Sequence, residues 1–334
     1  MTTLLLTIVV LALVFVDGCD SGKQLVVYTS VDQPFAEPVL EYYEKLTGVK
    51  VLAVYDTEAA KTVGLANRLR AEAAAPKADV FWSSEFAHTI RLAREGIFSS
   101  YAPASATDIP SQFKDPQNRW TGACLRARVF IVNNQLASES LPTSVDDLLK
   151  PDWQEGQATV AFPMFGTTNT HAAAIYAMHG KDSMLSFFKT LKEQKAFVAD
   201  SNGKVRDRVV NGQSLIGLTD TDDAMVAIKR GNPVKMIFPD QGENQPGTLV
   251  IPNTAAMIKN CRNPENARAF IDFITSELGE KALIKNSEGF FSIRSGGESQ
   301  PDWIPASGIK PLALTPDQIA DSIASATLAL KEVF

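Results

Sequence analysis

The sequence predicts an α/β protein built as two lobes, and three observations lead there. Short apolar runs of strand character alternate with amphipathic helical segments, the order expected when helices cover a sheet. The 334 residues, less an apolar N-terminal segment, leave about 315, more than one compact core usually serves. The stretch Gly217-Leu218-Thr219-Asp220-Thr221-Asp222-Asp223 puts three acids at the corner between a buried strand and a helix. Open α/β sheets place their sites at the carboxyl ends of strands, and capping a helix N-terminus needs only one acid or threonine.

Leu4 to Val16 is a continuous apolar run of signal-peptide length, too short for a relaxed membrane span. It ends at Val16-Asp17-Gly18-Cys19. A small residue before a Cys at the end of such a run resembles a bacterial lipoprotein processing site, with Cys19 as the lipidated first residue. Residues 1–22 are therefore read as signal peptide, anchor and tether, which makes the protein exported and membrane-anchored. Met1-Thr2-Thr3 without Lys or Arg, and Asp17, depart from that pattern, so simple secretory cleavage or an uncleaved anchor stays open. A net charge of −6 argues against nucleic acid and leaves no basic membrane-binding patch. With Cys19 lipidated, Cys124 and Cys261 form an even pair in an oxidising compartment, a candidate disulfide against two separate buried thiols. Neither lies in a metal-type cluster, so a zinc site is not expected.

Leu25 to Tyr28 is a short buried strand, followed by a helix with Phe35, Val39, Tyr43 and Leu46 on one face and Gly48 as its stop. Lys50–Tyr55 is the next strand, Lys61–Ala75 a helix, and Ala78–Trp82 a strand leading through Ser83-Ser84-Glu85 into a helix ending near Gly96. Arg126–Val132 is a longer strand. In the second half, Ala158–Phe162 is a strand, and Gly166-Thr167-Thr168-Asn169-Thr170 opens a helix over His171–Met178. Ser183–Leu191 and Lys204–Val210 are helices, with the fragment Phe197-Val198 between them. Val234–Phe238 and Leu249–Ile258 are extended, a helix follows Asn263-Pro264-Glu265, and Pro316–Leu330 closes the chain as an amphipathic helix capped by Thr315.

The order and spacing of these elements resemble the two-lobed solute-binding proteins of bacterial ABC importers, and among them the periplasmic ferric-ion-binding group. The resemblance rests on Leu25-Val26-Val27-Tyr28-Thr29-Ser30, Tyr43-Glu44-Lys45-Leu46-Thr47-Gly48, Ala78-Asp79-Val80-Phe81-Trp82, Arg128 to Asn134, Gly217-Leu218-Thr219-Asp220 and Asn263-Pro264-Glu265-Asn266-Ala267. It implies a type II periplasmic-binding fold, α/β with two hinge crossings and an interlobe cleft. Those crossings fall near Cys124–Asn133 and Thr248–Met257. Lobe one is then 23–124 plus 254–310, lobe two 125–253, and 311–334 a C-terminal helix packed on lobe two. Thr29–Asp32, Ser83–Glu85, Gly166–Thr170 and Thr219–Asp223 would line the cleft, which hinge closure shuts on the ligand. The implied partners are a small solute, an ABC permease and its ATPase, for a monomeric binding protein with no catalytic cofactor.

Ferric-binding members hold their metal with an adjacent tyrosine pair, whose positions here correspond to Thr221 and Asp222. The only adjacent tyrosines, Tyr42 and Tyr43, lie inside the first helix and are read as core packing. Oxygen donors remain: Asp32, Glu85, Asp220, Asp222 and Asp223, with Asp32, Glu85, Asp220 and Asp222 the candidate metal ligands. Clustered carboxylates call for a cation, because like charges in a cleft repel. An iron(III)-type cation with a synergistic anion is favoured by the resemblance. The turn Gly166–Asn169, with its free N–H groups and hydroxyls, equally suits a phosphorylated or other anionic organic solute, and a polyamine is a further alternative. Thr29, Ser30, Ser83, Ser84, Thr219 and Thr221 complete the expected ligand set.

His88, His171 and His179 form no cluster in the sequence and are read as packed or surface residues, with His171 within reach of the Thr-rich turn. Arg126 and Arg128 alternate on the hinge strand and are read as structural ion pairs. No nucleophile elbow, Walker loop, zincin helix or dinucleotide fingerprint occurs, so no enzyme is expected.

Overall fold

The computed structural model describes residues 24–56, 62–136, 141–150, 153–294 and 300–334. The N-terminal segment with Cys19 therefore lies outside the described residues. One nine-stranded sheet runs through the molecule in the order β2-β1-β3-β9-β4-β7-β5-β6, with β8 also paired to β4. Its first part is built from β1 (Gln24–Thr29), β2 (Lys50–Tyr55) and β3 (Val80–Ser83), mutually parallel about β1. Helices α1 (Gln33–Thr47), α2 (Val63–Ala71) and α3 (Ala87–Arg94) make the connections. α2 is shorter than the span Lys61–Ala75 read from the sequence: its last turn ends at Glu72, and Ala73–Ala75 form turns. α1 ends as its sequence dictates, at Gly48 in the left-handed region with the Gly48 N–H on the Glu44 carbonyl.

Two long strands carry the chain between halves. β4 (Thr121–Asn133) is buried at all 13 positions. Its first half pairs antiparallel with β9 (Val250–Met257), and from Arg128 onward it pairs with β7 (Ile216–Asp220). β9 in turn pairs with β3, so β4 and β9 are shared by both halves. The second half adds β5 (Ala158–Ala161), β6 (Phe197–Ala199) and β8 (Val234–Ile237), with β5 parallel to both β6 and β7.

Around them lie α4 (Gly166–Glu193), α5 (Asn202–Val210) and α6 (Thr221–Lys229). The sequence suggested two helices, His171–Met178 and Ser183–Leu191. Two helical stretches are present within α4 and part at Gly180, whose φ of 82° and ψ of 177° are not helical and only glycine accepts readily. α7 (Pro264–Ile274) and α8 (Glu277–Ser287) cover the first half.

α9 (Pro316–Leu330) starts with a capping box between Thr315 and Gln318 and lies along α4. It buries Ile319, Ile323 and Leu330, each contributing about 1.5–3 kcal/mol on removal from water. Its N-terminal end also meets α3, where Arg94 reaches Asp317 and Asp321. One apolar cluster consequently runs from Leu65 and Phe81 in the first half, through α9, to Phe188 and Leu218 in the second.

The expected Cys124–Cys261 bond does not form. Cys124 is buried on β4 with its thiol on the Phe291 carbonyl, and both cysteines are free. Cys124 pairs with Asn253 on β9, and Cys261 comes only after that strand ends at Met257.

Candidate binding cleft

The strand ends of β5, β6 and β7 meet the first turns of α1, α4, α5 and α6 around a cavity of about 330 Å³. Asp32, at the start of α1, enters it from the first half. Gly166, Thr167, Thr168, Asp220 and Asp223 enter from the second, with Arg126 of β4 between them. α4 begins at Gly166 rather than at His171, and no side chain caps it; its opening turn forms part of the wall. α5 adds Asn202 and Gly203 beside its cap Ser201, so two helix N-termini, each favourable to negative charge, border one space.

The acidic corner is held by arginines. Arg128, fully buried, donates from Nη1 to Asp220 at 2.8 Å. Arg126 Nη1 reaches Asp222 at 2.9 Å and Asp220 at 3.3 Å. Thr167 Oγ1 and Asn202 Nδ2 donate to the other Asp220 oxygen at 2.6 and 3.1 Å. Burial alone would raise the Asp220 pKa, but Arg128 and Arg126 outweigh it and hold the carboxyl below its usual range. Asp223 goes the other way. Burial, then the charges of Asp222, Asp220 and Asp32, push it well above the ordinary carboxylate value, against the pull of Arg206. Donor atoms of Asp220, Asp222 and Asp223 all lie within 4.8 Å of one another. Arg206 Nη1 reaches Asp223 at 3.4 Å, so three arginines meet the three acids, and Asp32 faces them across the cavity.

Glu85 is not with them. Its carboxylate accepts from the backbone N–H groups of Ala87 and His88, at 2.6 and 3.1 Å, and from Thr170 Oγ1, and faces His88 Nδ1 at 3.0 Å. Burial opposes its ionisation, yet His88 and those N–H groups keep it lowered. It caps α3 internally and ties α3 to α4, so of the expected set Asp32, Glu85, Asp220 and Asp222 it alone stands apart, while Asp220 and Asp222 cluster with Asp223 and Asp32 lies across the cavity.

Several other expected ligands form the frame instead. Thr29 Oγ1 accepts from the Val31 N–H, and Ser30 Oγ bonds the Ser84 N–H and lies against Ser83 and Ser84. Asn169 turns toward α9, bonding Thr327 and the Pro163 carbonyl. Thr221 Oγ1 accepts from the Ala127 N–H, and Thr219 donates to Asp223 and the Asn202 carbonyl.

Arg126 Nη2 on the Ser84 carbonyl fastens the two halves together. Gly289, in the turn after α8, presses on the first turn of α6: a Cβ there would overlap Asp222 and the Thr221 carbonyl. Arg206, Arg230, Asn202 and Gly203 line the cavity too, although nothing in the sequence argument singled them out. The signal available was the position of Ser201-Asn202-Gly203 at the end of a parallel strand, β6.

None of the six tyrosines lines the cavity. Tyr43 is core, packed on Phe270 and Phe273, while Tyr42 is 39% exposed with its ring against Phe273. His171 points elsewhere, into a second cavity.

Comparison with known proteins places the chain. Residues 75–300, about two thirds of it, match the family of bacterial extracellular solute-binding proteins. The chain belongs to that family. It is 24% identical over 294 residues to an Fe(3+)-binding periplasmic protein of Serratia marcescens, covering 86% of this chain and 84% of that one. Among solved structures, iron-bound HitA from Pseudomonas aeruginosa has a TM-score of 0.82 at 24% identity, covering 91% of this chain and 98% of HitA. AfuA from Actinobacillus pleuropneumoniae, with fructose-6-phosphate bound, has a TM-score of 0.81 at 21% identity, covering 92% and 98%.

The fold is accordingly that of a two-lobed periplasmic binding protein, and the cavity lies between its lobes. Its family consists of exported substrate-binding subunits that serve ABC importers, working with a permease and an ATPase.

Proposed function

We propose that this solute-binding protein captures an iron(III)-type cation together with a small oxyanion, and delivers them to an ABC permease by closing and reopening its cleft. The observation that carries this reading is the joint presence, beside one cavity, of three carboxylates with donor atoms within 4.8 Å of one another and two helix N-termini. A cation at Asp220, Asp222 and Asp223 relieves the repulsion that raises Asp223, and hard cations prefer such oxygen donors. An anion completes the coordination from the α4 and α5 side. The iron-binding relatives support the same ligand class.

The lobes are 23–124 plus 254–310 and 125–253, with 311–334 added to lobe two through the α4–α9 contact. The protein acts as a monomer, anchored through lipid on Cys19, and performs no chemistry on its solute.

Arg126, Arg206 and Arg230 in the same wall favour one second reading, a phosphorylated or otherwise anionic organic solute whose hydroxyls the acids grip. The fructose-6-phosphate complex of AfuA supports it. Calorimetric titration of the mature protein with ferric citrate and with fructose 6-phosphate separates the two. The first reading expects one ferric ion per chain, weakened about tenfold or more in Asp222→Asn and Asp223→Asn. Sugar-phosphate binding without metal, lost in Arg230→Met, would replace it with the second.

A further inference from the structure

A second cavity, of about 860 Å³, runs along α4 beyond the cleft and shares no lining residue with it. α4, the short 3-10 turn Val145–Leu149 and the segment 239–249 enclose it. Ile175, Phe187 and Leu249 give it an apolar floor. Exposed Asp146 and Asp182 stand at its mouth, and buried Asp240 is held deeper by Ser144 Oγ and the Val145 N–H. Arg128 is the one Lys or Arg in this wall, and its charge is already engaged by Asp220 on the cleft side.

His171 supplies an independent sign of an occupant. It is 8% exposed, lines this cavity, and its Nδ1 has no hydrogen-bond partner among the described residues. A buried polar nitrogen left unsatisfied is costly, so such groups usually mark a ligand or ordered water. Burial, with the neighbouring Arg128, pushes the imidazole down to about 3, so the ring is neutral and can accept a proton donor. Carboxylates, a neutral imidazole and an apolar floor form a wall rich in acceptors and net negative, of the size that small organic ligands fill.

We propose that this cavity binds a small organic ammonium compound with an apolar body and a hydroxyl or N–H donor at its far end. The ammonium faces Asp146 and Asp182, the body lies on Ile175, Phe187 and Leu249, and the donor meets His171.

Tyramine has all three features and serves as the probe, titrated calorimetrically into the mature protein at low ionic strength. Saturable binding is expected. Ser186→Trp, an exposed substitution that blocks the mouth, should weaken it about tenfold or more, and Asp182→Asn about threefold. Phenethylamine, lacking the hydroxyl, should bind more weakly than tyramine, and 4-hydroxyphenylacetate, with the charge reversed, should not bind. No saturable tyramine binding, equal binding to Ser186→Trp, or equal binding of the anion would each overturn the proposal.

Discussion

Arg128 and Asp223 show the two ways in which single residues set this cleft. Arg128 is completely buried and donates to Asp220, Thr167, Asn202 and the Leu218 carbonyl. Arg128→Met would leave Asp220 charged and short of its closest cationic partner, so a loss of about 3–5 kcal/mol in unfolding free energy is expected from urea denaturation. Asp223 acts in the opposite sense. Its folded pKa is raised, so between the unfolded value of about 3.9 and that raised value the folded state holds more protons. Its contribution to stability is therefore fully present at low pH and lost as pH rises through the folded pKa. Asp223→Asn should stabilise the ligand-free protein at neutral pH and flatten its melting temperature against pH above about 4. A variant no more stable than the parent at pH 7 would show that Asp223 is adequately compensated. At this scale the sequence disclosed the acids and the pairing role of Arg126 and Arg128, because charged residues on a buried strand need partners. It did not disclose that Glu85 caps α3, since an acid two residues before a helix reads alike as cap and ligand.

Among the elements, strands were the most legible, because a strand buried on both faces is a near-continuous apolar run. β5 and β9 lie within one residue of the spans read from the chain, while β4 begins five residues before the start expected at Arg126. Helix joins were less so. Two amphipathic segments separated by Gly180 read as two helices, as they are, but the kink that joins them, with its φ of 82°, is invisible in a hydropathy pattern. Gly180→Ala should cost about 1–3 kcal/mol, seen as a lower melting temperature with the circular dichroism spectrum retained. No loss would mean that the bend relaxes freely. The start of α4 was misplaced for a related reason: Gly166–Thr170 resembles a turn by composition, yet tertiary contacts from Thr167 to Asp220 and Thr170 to Glu85 hold it helical.

For the whole molecule, two shared strands, the Arg126–Ser84 and Thr170–Glu85 hydrogen bonds and one glycine contact help set how the halves meet. The length and alternation of elements made two lobes readable, but which surfaces touch depends on pairs hundreds of positions apart, such as Arg94 with Asp317. Gly289 is the tightest of these meeting points. Gly289→Ala should prevent full closure, seen as a larger radius of gyration in ligand-saturated solution scattering and about tenfold weaker binding, with the unliganded curve unchanged. Identical scattering from parent and variant with ligand would show that closure does not depend on this contact. The central claim, that the cleft carries a metal with an oxyanion, is tested most directly by native mass spectrometry of the protein taken from its own host without chelators. The account predicts an adduct of iron mass accompanied by a small anion, lost in Asp222→Asn. An organic adduct with no metal would contradict it.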